Sequence, residues 1–213
     1  MTGSVAAQPF DLDISRNTVW PTHLMPHGEG ERFDKEPFNH WWSRVKGELG
    51  HLPATLCEQW IYRHWLASPF RFLPHDSLAW PSVTPSSEAL LARVYRAWGG
   101  ELDARFDYDV FQHCGGDDRR TAAKALDDGR RDYPLVVLAR PHGIQNESDI
   151  HYAVRWVIVE GHQRHRCLPA LHALGQAPGR PHAIYIISSP TIDSASPRLA
   201  TSPKPASIVG NDA

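Results

Sequence analysis

The sequence predicts an α+β fold: a small mixed β-sheet with surrounding helices, preceded by a tryptophan-rich helical region. Three observations carry that expectation. Residues 134–138, 154–159 and 183–187 are short runs rich in Val, Ile and Leu, bounded by turn-forming residues, as buried strands are. Apolar residues return at helical spacing within residues 38–49, 53–65 and 162–174. The length, 213 residues, suits one domain, or one with an appendage, and allows a real core.

Residues 1–34 are rich in Gly, Pro and polar side chains, with Pro9, Pro21 and Pro26 breaking any period, so loosely ordered or wrapped-around coil is expected. A helical region over 35–69 follows. Phe38, Trp41, Trp42, Val45 and Leu49 keep helical spacing up to Gly50. Pro53 restarts a helix whose buried face is Leu56, Trp60, Ile61 and Trp65, and Ser68-Pro69 stops it. Clustered tryptophans can stack bases or sugars, but aromatic residues at helical spacing are far more often core, and core is the expectation here.

The main domain is expected over 70–190. Phe70-Arg71-Phe72-Leu73 alternates and predicts a short strand. Thr84-Pro85 predicts a helix start, with Leu91, Val94, Tyr95 and Trp98 as one stripe before Gly99-Gly100. A second helix is predicted over 104–113 with Phe106 and Val110 inward, and a third over 117–128, opened by Asp117 and Asp118. The turn-rich loop 141–149 makes the strand over 134–140 a neighbour of the one over 154–159. Pro169 lies about two turns inside the helix over 162–174, where a kink or local break is expected at a cost of ~3 kcal/mol. Residues 191–213 have the composition of a disordered tail.

Composition bounds the function. With 41% hydrophobic and 22% charged residues the chain is ordinary in make-up, and a formal charge of −2 gives no long-range attraction to nucleic acid. Cys57, Cys114 and Cys167 form no C-x-x-C, so reduced thiols are the default. No apolar run approaches the ~20 residues that span a bilayer, and the first residues lack a signal peptide's blocks. A cytoplasmic protein without a membrane partner is expected.

The stretch richest in chemistry is 153–174, AVRWVIVEGHQRHRCLPALHAL. A strand passes through Glu160-Gly161 into a helix whose first turn holds His162, Gln163, Arg164, His165 and Arg166. Free N–H groups at a helix start favour an anion, and two arginines strengthen that, so phosphate is the natural guest. Arg164 and Arg166 point roughly 200° apart on a regular helix. Arg164 is therefore the first choice for the phosphate, while Arg166 is open between ligand contact and a surface ion pair. Gly161 permits a sharp turn or close backbone approach. Glu160 suits a general base or a ligand for a metal that accompanies a nucleotide. His162 and His165 share a helix face at i, i+3, but no H-E-x-x-H occurs, and no metal site of the protein's own is expected.

E-G-H-Q-R-H-R, with a strand before it and a helix after it, resembles the signature turn of the ParB/sulfiredoxin superfamily. Members show G-E-R-R, G-x-H-R or G-H-x-R there and use it to hold nucleotide phosphates. Residues 132–138, DYPLVVL, are similar to that family's x-x-P-I-x-V strand, and the strand at 182–187 follows in the same order. The resemblance spans roughly residues 70–188 and is specific at the turn. It implies a ParB/sulfiredoxin-like domain binding a nucleotide or similar phosphate ligand, with Mg2+ as an accompanying ion. It places ligand contacts at Gly161, His162, Gln163, Arg164, His165 and Arg166, with Glu160 as the catalytic candidate for hydrolysis or phosphoryl transfer. The sulfiredoxin branch needs a cysteine where His162 stands, which argues against its reductase chemistry. The chromosome-partitioning branch carries a helix-turn-helix after this domain, whereas a proline-rich tail follows here, so DNA is not the favoured partner. The rival reading is a non-catalytic DNA- or protein-binding module that uses the N-terminal helices.

Overall fold

The computed structural model of the chain describes residues 10–11, 20–30, 34–95, 103–113, 134–140, 144–145, 151–152, 155–177, 179 and 181–189. In chain order these form β1 (Phe10–Asp11), α1 (Phe38–Leu49), α2 (Ala54–Leu56), β2 (Ser82–Val83), α3 (Ser87–Arg93), β3 (Val94–Tyr95) and α4 (Ala104–His113). Then come β4 (Leu135–Ala139), β5 (Ile144–Gln145), β6 (His151–Tyr152), β7 (Trp156–Glu160), α5 (His162–Ala173) and β8 (Ile184–Ile187). α2 runs directly into a π-helical turn, Cys57–Tyr62.

β4 is the middle of a mixed five-stranded sheet of order β2-β8-β4-β7-β3. It runs parallel to β8 and antiparallel to β7. Its side chains alternate between two cores. Val136 and Leu138 join Val157, Val159 and Ile187 on one face, against Trp41, Leu56, Trp60 and Phe70. Leu135 and Val137 join Ile158 and Ile184 on the other, against Leu90 and Leu168. A strand covered on both faces must be apolar at every position, and Leu135–Leu138 are all 0% exposed. The three strand signals in the sequence thus belong to one α+β sheet, with β4 and β7 as neighbours; Val154 lies outside the described residues. β1, β5 and β6 make a separate three-stranded ribbon, which the loop reading of 141–149 did not contain.

The first helix falls where its spacing predicts, burying Trp41, Val45 and Leu49. Trp20 and Leu24 are also buried, so within 20–30 the expected coil is wrapped onto the core rather than loose. The indole N–H groups of Trp20 and Trp41 donate to the Leu73 carbonyl at 2.9 Å and the Leu24 carbonyl at 2.8 Å. That pairing lets amphipathic rings be buried without an orphaned donor.

Several local expectations need correction. Phe70–Leu73 is a turn, not a strand: Phe70, Phe72 and Leu73 are all buried, and the Leu73 amide donates to the Phe70 carbonyl at 3.0 Å. Three inward residues out of four cannot sit on a strand with one wet face. The α3 cap is Ser86, whose hydroxyl accepts from the Ala89 amide at 3.2 Å, two residues beyond Thr84. α3 ends at Arg93, and Val94 and Tyr95 pair with β7 as β3. Phe106, expected inward on α4, is 62% exposed. α5 continues through Pro169 without a break. Trp98, Cys114, the helix expected over 117–128 and the tail over 191–213 lie outside the described residues. Among the described residues no helix is long and apolar enough to cross a membrane.

Trp60 ties the helical region together. It is 0% exposed, donates to the Ser68 hydroxyl at 2.9 Å and meets Trp20 edge-on at 5.3 Å. Trp60→Ala is expected to cost about 3–5 kcal/mol by urea denaturation. A loss below about 1 kcal/mol would remove this residue from the centre of the core.

Candidate functional site

Regular pairing fails at the end of β7. Val136 is opposite Glu160 while Val137 is opposite Ile158, so Val159 is an extra residue in the ladder. In a regular strand Val159 and Glu160 would face opposite ways, whereas here both line one cleft, the re-aiming that a bulge produces. The chain then turns at Gly161 with φ 94° and ψ 27°, a left-handed conformation open to glycine. A Cβ there would lie 2.4 Å from Leu135 Cδ2 and 2.9 Å from Arg164 Nη2. Gly161 is required by close approach as well as by its dihedral angle.

The cleft beside this turn has a volume of about 530 Å³ and is lined by His64, Ala67, Ser68, Pro69, Val159, Glu160 and His162. One wall is the segment after the π-helical turn; the other is the β7–α5 turn. The two walls are joined by polar contacts. Glu160 Oε2 is 3.3 Å from His64 Nε2, and its Oε1 is 3.9 Å from Arg164 Nη2. Arg164 Nη2 also donates to Gln59 Oε1 at 3.0 Å. Gln59 is 0% exposed and its Nε2 has no hydrogen-bond partner among the described residues.

The candidate residues of the turn therefore separate. Glu160 and His162 line the cleft. Gln163 is exposed. Arg164, the first choice for a phosphate, lies back over Gly161 with its side chain 12% exposed, engaged with Glu160 and Gln59. His165 is buried at 5% exposure. Arg166 turns the other way and pairs with Asp107 of α4, whose side chain is 4% exposed. The divergence of the two arginines is that of a regular helix.

His64 and Gln59 are not marked by the sequence, and Ser68 is marked there only as a helix stop. Gln59 is hard to find because the π-helical turn shifts the phase of the segment, placing a polar residue among Leu56, Cys57, Trp60 and Ile61. Cys57 offers no nucleophile: burial pushes its thiol up to about 12. Among the described residues no three His, Cys, Asp or Glu side chains form a metal-holding group. No family model, curated protein or solved structure matches the chain.

Arg164→Ala tests the bridge. It leaves Glu160 without one cation and Gln59 Oε1 without its donor, so a loss of about 1–3 kcal/mol in chemical denaturation is expected. An unchanged midpoint would mean that the guanidinium contributes nothing to joining the two walls.

Proposed function

We propose that this chain binds a nucleotide or a similar phosphate ligand in the cleft, with the phosphate at the β7–α5 turn of a ParB/sulfiredoxin-like domain. One observation carries the reading: the cleft opens where Glu160 ends β7 and His162 starts α5. A volume of about 530 Å³ is within the range of small-ligand sites. Gly161 supplies no side-chain cap to α5, and the start of a helix favours an anion. Ala67, Pro69 and Val159 give the same cleft an apolar portion suited to a base or sugar face.

Glu160 adds a carboxylate to the wall. It is a candidate to accept a proton from water or an acceptor hydroxyl, and its carboxylate oxygens would suit Mg2+ arriving with a nucleotide. Hydrolysis or phosphoryl transfer is thus an extension of the binding reading. The rival, a non-catalytic DNA- or protein-binding module that uses the N-terminal helices, would have to bind without Trp41, Trp60 and Trp65, which are buried.

Calorimetric titration with a panel of nucleoside mono-, di- and triphosphates, with and without Mg2+, checks the proposal. At least one is expected to bind saturably and to raise the melting temperature, since a ligand at 100 times its Kd stabilises by about 2.7 kcal/mol. No heat and no melting shift with any nucleotide or with inorganic phosphate would remove the reading.

A further inference from the structure

We infer that Ser68 reads the base of the bound nucleotide by donating its hydroxyl hydrogen, and that the ligand is a nucleotide whose base carries an oxo group. The inference rests on the phosphate reading above and names the ligand class of that same site. It starts from the hydrogen bonds of one residue. Ser68 is 5% exposed and lines the cleft between Ala67 and Pro69. Its hydroxyl oxygen accepts from the Trp60 indole at 2.9 Å and from the Phe70 amide at 3.2 Å. Its own amide donates to the His64 carbonyl at 2.8 Å, and its carbonyl accepts from Arg71 Nε at 3.2 Å.

A serine hydroxyl has two lone pairs and one hydrogen. Both lone pairs are taken by N–H donors, so Ser68 can only donate, and no described residue accepts its hydrogen. A buried donor without a partner is costly, and holding Trp60 in place needs only a lone pair. Because Ser68 stands on the cleft wall, the acceptor can come from a bound ligand. Its position decides which part of the ligand that is. Glu160 and His162 flank the turn proposed for the phosphate, whereas Ser68 lies in the apolar portion with Ala67, Pro69 and Val159, where the base would lie. There an exocyclic oxo group gives the hydroxyl the acceptor it lacks. An amino group at the same place would set donor against donor, and a hydrogen would leave the hydroxyl unpaired. Sites built this way reject the analogue that lacks the matching group.

The test uses the full chain and two ligand pairs that differ in the oxo group. One is inosine 5′-monophosphate against purine riboside 5′-monophosphate; the other is uridine 5′-monophosphate against its 4-deoxo analogue. Calorimetry on wild type is expected to show the oxo member of at least one pair binding at least about tenfold tighter. Ser68→Ala is expected to reduce that ratio to about one by weakening the oxo ligand alone. Its melting temperature should also fall, because the Trp60 and Phe70 N–H groups lose their acceptor, and the ratio within one variant separates that loss from recognition. Ser68→Cys, with a weaker donor and a sulfur acceptor in the same place, is the second variant should Ser68→Ala not fold, and its ratio is expected to fall as well. A ratio near one in wild type, or one unchanged in the variants, overturns the role of Ser68 and leaves the phosphate site standing. The same holds if inorganic phosphate or ADP binds and none of the four ligands does. If wild type binds no nucleotide and no inorganic phosphate, the phosphate site and this inference fall together.

Discussion

Gly161 is the constraint on which the arrangement of the site depends. Its missing side chain lets Leu135 of the central strand and the Arg164 guanidinium approach the same point of backbone. Because φ is 94°, the chain reverses within one residue, and α5 starts directly at the end of β7. Glu160 and Arg164 thereby come to lie on the same side, 3.9 Å apart, with Gln59 reached from the same guanidinium nitrogen, Nη2. A side chain at position 161 would displace Arg164, Leu135 or the turn itself, and each of those belongs to a different layer of the fold.

The layering explains why a residue of the helical region reaches the turn at all. The face of the sheet that carries Val157 and Val159 packs on Trp41, Leu56, Trp60 and Phe70. Rigid aromatic side chains with their indole donors satisfied hold the π-helical turn at a fixed height over β7. His64 follows that turn, and the Ser68 amide closes onto its carbonyl at 2.8 Å. The bulge at Val159 then aims Glu160 into the gap between the two layers. Packing sets the distance and the bulge sets the direction.

How much of this was legible in the sequence depended on the range of the interaction. β4, β7 and β8 were legible because two-sided burial demands a continuous apolar run, as Leu135–Leu138 supplies. α1 was legible because Trp41, Val45 and Leu49 repeat at one turn. Phe70–Leu73 misled because alternation was inferred from four residues, with a buried serine just before them organising a turn: the Ser68 hydroxyl accepts from the Phe70 amide at 3.2 Å. Pro169 misled for another reason. A proline removes one helical bond at a cost of ~3 kcal/mol, and tertiary burial offsets that cost when its neighbours Leu168, Ala170 and Leu171 are all buried. At the site, Glu160, Gly161 and Arg164 announced themselves by type and spacing. His64 and Gln59 did not, since they reach the site from about a hundred residues earlier, through a core that no local pattern encodes.

The polar chain from Gln59 through Arg164 and Glu160 to His64 is a poor way to gain stability. A fully buried amide whose nitrogen has no partner among the described residues costs about 1–3 kcal/mol, and the π-helical turn that holds it is a rare conformation. A partly buried ion pair rarely exceeds in stability the apolar side chains that would replace it, although removing one member alone is costly. The surrounding residues, Leu56, Trp60, Val159 and Leu135, would accept such a replacement on packing grounds. What the polar chain supplies instead is orientation: a carboxylate fixed at both oxygens, a histidine fixed at one nitrogen, and a cleft beside them. Under the proposal that the cleft takes a phosphate ligand, pre-organisation of that kind would cut the ordering cost of binding it. The fold carries a locally unfavourable arrangement where two layers meet, and the favourable aromatic packing around it keeps that arrangement in place.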